Sequence, residues 1–229
     1  MADQPQKPAR SPVHQHMAEL RARALTCTDC NLSQTRTQVV FGTGNPETPM
    51  VLIGEGPGEQ EDATGIPFVG RAGKLLDEVL RVNGISRNHV WITNVLKCRA
   101  FVVEGGRATN RPPRVEEVSA CRQWIEAEIA LINPLVIVCV GGPAAKLIIG
   151  SAFQSMTRQR GQWFTDTEYA PYVMPILHPA YVLRQHGPAF EEARQLLIDD
   201  LRRARDKVRE LRRHPPPPRP PKVVQQSLF

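Results

Sequence analysis

Five cysteines stand in the 229-residue chain, and their spacing is the first feature with chemical content. Cys27 and Cys30 form a CxxC within "CTDC", Cys98 and Cys121 lie far downstream, and Cys139 sits inside the apolar run "PLVIVCVGG". In a reducing compartment such spacing suggests metal binding more than disulfides. A CxxC alone reads equally well as half of a zinc knuckle. Cys139 reads most simply as a buried strand residue. A second group of residues is polar and dispersed. Glu55 lies in "GEGPGEQED", where Gly54, Gly56 and Gly58 let backbone approach a ligand closely. That stretch is neither a GxGxxG nor a Walker loop. Phe68 in "GIPFVGRAG", Asn94 in "TNVLKC" and His178 in "LHPAYVLR" complete the set. Each has an ordinary reading: a tight turn, a core aromatic, an amide pairing local backbone, a structural imidazole. Their joint order carries more than any one of them.

Four apolar runs read as buried strands: "MVLIGEG" (50–56), "HVWITNVLKC" (89–98), "PLVIVCVGG" (134–142) and "YVMPILHP" (172–179). An amphipathic helix is expected over about 13–25, and further helices over roughly 71–83, 114–132, 143–150 and 189–213. Leu75, Leu76, Val79, Leu80 and Val82 form a helical stripe in the second of these. Strands apolar throughout and alternating with helices predict an α/β fold: a three-layer sandwich whose central sheet is mainly parallel and four-stranded. Ligands of such sheets bind at the carboxyl ends of the strands. Those ends would bring a carboxylate (Glu55), an amide (Asn94), the glycine turn Gly141-Gly142 and an imidazole (His178) to one edge.

Apolar residues make up 41% of the chain, enough for a real core, and the length suits one domain with extensions. No apolar run approaches the roughly 20 residues of a membrane span. The first residues carry no hydrophobic signal core, so a cytoplasmic, nucleoid-associated protein is expected. The net charge of +6 misleads: residues 202–222 hold nine Lys/Arg and two acids, leaving 20 Lys/Arg against 21 acids elsewhere. A face for nucleic acid must therefore be a local patch. Residues 1–12 read as disordered, 13–213 as the folded domain, and 214–229 as a proline-rich tail.

The stretches "CTDCNLSQTRTQVVFGTGNP", "GEGPGEQED", "GIPFVGRAGKLLD", "TNVLKC", "ACRQWIEAEI" and "LHPAYVLR" together resemble the family 4, iron–sulfur uracil-DNA glycosylases, from about Leu25 to Leu201. The resemblance implies an enzyme of base excision repair. It would flip deoxyuridine from single- or double-stranded DNA, hydrolyse the N-glycosidic bond, and leave an abasic site without cutting the strand. It implies Cys27, Cys30, Cys98 and Cys121 as ligands of a structural [4Fe–4S] cluster; a Cys₄ zinc site is the alternative. It places Glu55 beside the sugar, positioning or activating water. Phe68 becomes the stacking platform for uracil, with Gly54 and Gly56 beside it. Asn94 reads O4 and N3–H, and His178 holds O2 as charge builds on the leaving base. Tyr181, Val182, Leu183 and Arg184 would wedge into the duplex and hold phosphate, and Arg71 would also meet DNA. A monomer is expected, and no membrane partner.

Two departures stand out. The family usually has "GEAPG", and here Gly56 replaces the alanine. After Cys98 the segment "AFVVEGGRATN" is inserted, and is expected to be a mobile loop over the cleft with Arg107 and Arg111 offering phosphate contacts. A related branch becomes covalently trapped on uracil DNA through a histidine in a long insertion here. No histidine stands in this one, which favours turnover over a covalent or non-excising uracil-binding protein. A module that only binds nucleic acid would leave Glu55, Asn94 and His178 without a purpose. The closing "QQSLF" resembles the short peptide by which bacterial repair proteins bind the replication sliding clamp, with Gln225 as polar anchor and Leu228 and Phe229 as apolar ones. Gln226 departs from the usual leucine.

Overall fold

The structure, a computed structural model, describes residues 11–165 and 167–217; the clamp-like peptide with Gln225, Leu228 and Phe229 lies outside them, as do residues 1–10 of the stretch 1–12 expected to be disordered, whose last two residues, Ser11 and Pro12, instead cap and open the first helix. In chain order the elements are α1 (Pro12–Leu25), β1 (Thr43–Gly44), β2 (Met50–Gly54), α2 (Glu59–Thr64), α3 (Arg71–Val82), β3 (Trp91–Asn94), β4 (Phe101–Glu104) and β5 (Arg107–Asn110). They continue with α4 (Val115–Ile132), β6 (Val136–Val140), α5 (Gly142–Ile149), α6 (Met156–Gln159), β7 (Phe164–Thr165), β8 (Tyr172–Ile176), α7 (Pro179–Val182) and α8 (Pro188–Arg213).

The main sheet runs β1-β3-β2-β6-β8-β7. Its centre, β3-β2-β6-β8, is the expected set of four parallel strands. Two short antiparallel edges, β1 and β7, were not expected and enlarge it to six. At two residues each they carry no periodicity to read.

Alternation along each strand divides the interior. Val51, Ile53, Ile137 and Cys139 face the layer containing α1, α4 and α5, where Met17, Leu20, Trp124, Ile125 and Ile148 close the core. Met50, Leu52, Val138 and Ile176 face α3 and α8, whose Leu76, Val79, Leu197 and Leu201 cover them. Each large aliphatic side chain fully buried this way contributes roughly 1.5–3 kcal/mol. Val82, included in the expected stripe of α3, is exposed.

The strands end earlier than the apolar runs suggest. β2 stops at Gly54 and β8 at Ile176, so Glu55 and His178 stand in the turns beyond them. Backbone pairing nevertheless persists past β3: Val95 N–H donates to the Gly54 carbonyl at 2.9 Å and Leu96 N–H to that of Glu55 at 3.0 Å. The turns are thus continuous with a rigid sheet.

The insertion is a two-stranded ribbon. Glu104 pairs with Arg107, leaving Gly105 and Gly106 as a two-residue turn with φ of 58° and 78°. Both values are left-handed, as the tightest hairpin turn requires. The expected mobile loop is therefore a hydrogen-bonded element.

Candidate functional site

Gly54 and Asn94 are registered neighbours on parallel strands. A Cβ on Gly54 would overlap both the Asn94 Oδ1 and the ring of Phe68. Glycine here is what allows an amide and an aromatic ring to converge on one point. Asn94 is 2% exposed, and among the described residues its carboxamide has no hydrogen-bond partner. The amide keeps enough exposure not to count as a fully buried unpaired group, which among the described residues is Trp91 Nε1 alone, so a ligand entering beside Phe68 can still meet it.

Phe68 is held in place by several devices. Its φ is +55°, uncommon for a residue with a side chain and typical of functional strain. Gly73, on the first turn of α3, is required because any Cβ would strike the Phe68 carbonyl. Arg87 Nη1 donates to that carbonyl at 3.0 Å and to Asp77 at 2.7 Å, and its Nη2 reaches the carbonyl of Pro67. Glu61 joins the two loops of the site: one carboxylate accepts from Gly58 N–H at 3.0 Å and from Val69 and Gly70 N–H at 2.8 Å each.

His178 faces Phe68, with ring centroids 5.9 Å apart and planes 30° from parallel. Its Nδ1 accepts from Ala180 N–H at 3.1 Å. Burial first, and Arg184 next, pull its pKa down to about 4. The ring is therefore neutral at neutral pH and carries its proton on Nε2. Gly141, at φ +101°, brings the turn after β6 against the His178 ring. Glu55 lines the adjoining cleft with Gly56, Leu96, Asn110, Arg111 and His178. Burial raises the Glu55 carboxyl above its usual range. A platform and an unpartnered amide thus meet over Gly54, the platform stacks on a neutral imidazole donor, and that imidazole lines the adjoining cleft with a carboxylate. That set can hold a planar base, draw charge onto it and orient water.

The cysteines converge in the layer of α1 and α4. Cys27, Cys30, Cys98 and Cys121 line one cavity between the end of α1, the turn after β3, and α4; Cys139 is buried in β6 outside it. Three sulfurs receive N–H donors: Cys27 from Trp124 Nε1 at 3.3 Å, Cys98 from Arg36 Nη1 at 3.4 Å, and Cys121 from Lys97 N at 3.2 Å. Burial raises the thiols of Cys27 and Cys98 and pushes Cys121 up to about 12. Donors aimed at sulfur suit thiolates bound to a metal centre.

A family model described as the uracil DNA glycosylase superfamily matches residues 41–202. The chain belongs to that superfamily. It is 41% identical to the type-4 uracil-DNA glycosylase of Thermotoga maritima over 82% of this chain and 92% of the relative. The type-4 enzyme of Sulfurisphaera tokodaii is 35% identical over 83% of this chain and 84% of its own length. That of Archaeoglobus fulgidus is 40% identical over 69% and 79%.

The remaining expected contacts divide. Tyr181 and Arg71 are exposed, as is Arg107, while Leu183 is half-buried. Val182, expected to meet DNA, is fully buried against the α3 and α8 layer, because the segment is a turn of helix with one inward face. Arg111 is engaged elsewhere: its guanidinium holds Glu117 through two bonds of 2.5 and 2.8 Å. Sequence reasoning missed Glu61 and the buried Lys97–Glu128 pair. Lys97 Nζ donates to Glu128 Oε2 at 2.8 Å, to Thr93 Oγ1 at 2.7 Å and to the Asn94 carbonyl at 2.9 Å. Among the described residues no helix is long and apolar enough to cross a membrane.

Proposed function

We propose that the chain is a monofunctional uracil-DNA glycosylase that releases uracil from DNA and leaves an abasic site. The observation that carries this reading is the Asn94 carboxamide, without a protein partner among the described residues, beside the Phe68 ring. One amide offers an acceptor to N3–H and a donor to O4 of uracil, whereas cytosine presents the opposite order. Uracil flipped from the stack lies on Phe68. As the C1′–N1 bond breaks, its electron pair passes to the base, and negative charge at O2 meets the Nε2–H of neutral His178. A neutral donor binds that oxyanion without giving up its proton. Glu55, drawn toward the sugar side of the cleft, orients a water for C1′ and takes its proton. Lys97, whose ammonium touches the Asn94 carbonyl, is buried and committed to Glu128, so its amine is not free to attack the sugar.

Cys27, Cys30, Cys98 and Cys121 would hold a [4Fe–4S] cluster, whose contribution is to tie α1, the turn after β3 and α4 into one unit. Four thiols on one cavity wall, three of them already offered N–H donors, support that donor set. DNA would be met by Tyr181, Leu183, Arg184, Arg71 and Arg107. The tail with Gln225, Leu228 and Phe229 would deliver the enzyme to a sliding clamp on replicating DNA in the cytoplasm.

The deciding experiment incubates purified protein with excess uracil-containing oligonucleotide and measures free base and protein–DNA adduct. Many uracils per protein, no adduct and no strand cleavage are expected. Release of no more than one uracil per protein, with adduct accumulating, would establish the covalent reading instead.

A further inference from the structure

Asn110, the last residue of β5, lines the catalytic cleft alongside Glu55 and His178, and the excision chemistry makes no use of it. Its orientation is fixed. Arg99 Nε lies 2.8 Å from the Asn110 side-chain oxygen. A guanidinium has only donors, so the atom it meets must be Oδ1 and the other end of the amide must be Nδ2. Arg99 is itself 7% exposed, lies 4.9 Å from the centre of the Phe101 ring, and reaches the Ala108 carbonyl at 3.5 Å. The base of the ribbon is closed by Arg111 N–H on the Ala100 carbonyl at 3.0 Å and anchored by the Arg111–Glu117 pair. Nδ2 faces the glycine turn after β2: a Cβ built on Gly58 would stand 3.7 Å from it.

The fixed donor selects its partner. Within a DNA strand the deoxyribose and phosphodiester carry no hydrogen-bond donors; they offer acceptors only. A site that recognises them must present donors. Glu55 cannot serve, being a carboxylate, and the Gly58 N–H is already taken by Glu61. We propose that Asn110 Nδ2 donates to a non-bridging phosphate oxygen next to the flipped deoxyuridine, and that Arg99 is the positioning residue that keeps the donor end of the amide turned into the cleft. The ribbon is thereby a wall of the substrate site. This rests on the glycosylase reading and names a contact within it.

The test is single-turnover excision from a uracil oligonucleotide, resolving the half-saturating protein concentration from the maximal rate. Uracil release by the unaltered protein is read first; its absence would defeat the glycosylase reading without touching the contact. Asn110→Ala should raise the half-saturating concentration about 10- to 100-fold, the loss of one hydrogen bond to a charged group, with the maximal rate within about threefold. Asn110→Asp keeps an acceptor for Arg99, so the ribbon stays braced, and should bind more weakly still because a carboxylate meets a phosphate. Arg99→Met should weaken binding like Asn110→Ala and add little to it in the double variant. The decisive arm replaces single phosphates flanking the deoxyuridine by neutral methylphosphonates. At one position the analogue should weaken the unaltered protein, leave Asn110→Ala unchanged and relieve Asn110→Asp. If the effects of analogue and variant simply multiply at every flanking position, or if Asn110→Asp binds like the parent, the proposal is wrong.

Discussion

Replacing Lys97 by methionine should damage the protein twice, at distances the sheet makes short. Lys97 is 2% exposed and Glu128 fully buried. The carboxylate of Glu128 is served by three donors: Lys97 Nζ at 2.8 Å, Thr93 Oγ1 at 2.8 Å and Gly42 N–H at 3.1 Å. Removing the one cation leaves a buried negative charge with two neutral donors. Breaking such a pair from one side costs about 3–5 kcal/mol. For a chain of this size that lowers Tm by about 6–20 °C. The same substitution takes the donor from the Asn94 carbonyl, so single-turnover excision should also fall at a temperature where the variant remains folded. Thermal melts followed by circular dichroism measure the first effect. The double variant Lys97→Met/Glu128→Leu should recover much of the Tm, since no charge is left buried, but not the excision rate. A single variant melting within about 2 °C of the parent would refute the account.

His178→Ala should slow single-turnover excision by about 10²–10³, the usual cost of losing one preorganised donor to a developing anion. Because burial raises the Glu55 carboxyl above 4.5, excision should decline on acidification through that raised value, and Glu55→Gln should abolish this limb along with most of the rate. His178 keeps its neutral form down to about pH 4 while the unfolded chain protonates near 6.5, so stability should fall as pH drops from about 6.5 to 4; a pH-independent Tm over that window would contradict the assignment. Anaerobically purified protein should be brown with about four irons per chain. Cys121→Ala should lose iron and Cys139→Ala should not, as elemental analysis of both variants would report. Deleting Leu228 and Phe229 should abolish binding to the host sliding clamp, measured by calorimetry, and leave excision on a short oligonucleotide unchanged; equal binding by both forms would remove the tail from the argument.

That Glu55, Asn94 and His178 come to the carboxyl edge of the sheet is legible in the sequence because fully buried parallel strands announce themselves as apolar runs and these polar residues fall in the later part of each run, although the strands stop sooner than the runs do. The partners that fix those residues are not legible. Glu61 reaches Val69 and Gly70 across a loop, and Lys97 reaches Glu128 across 31 positions. Local periodicity carries no record of such pairings. The ribbon is a different case. "FVVE" and "RATN" flank Gly105-Gly106, a hairpin signature open to reading from sequence, yet paired glycines signal mobility just as readily. Arg111 misleads for a related reason: its basic charge is visible in the sequence, while Glu117, six residues on and folded back upon it, is not recognisable as its partner.

The two edge strands of the main sheet have a bearing on how the protein behaves among its copies. A parallel sheet left open at β3 and β8 would present rows of free backbone donors and acceptors, a template on which another chain could align. β1 pairs with Trp91 and Ile92 of β3, and β7 with Tyr172 and Val173 of β8, so antiparallel segments of only two residues each cap the start of both borders. Each new border is too short to nucleate a growing array of strands. The scaffold thereby discourages stacking of one copy on the next, at the expense of four residues.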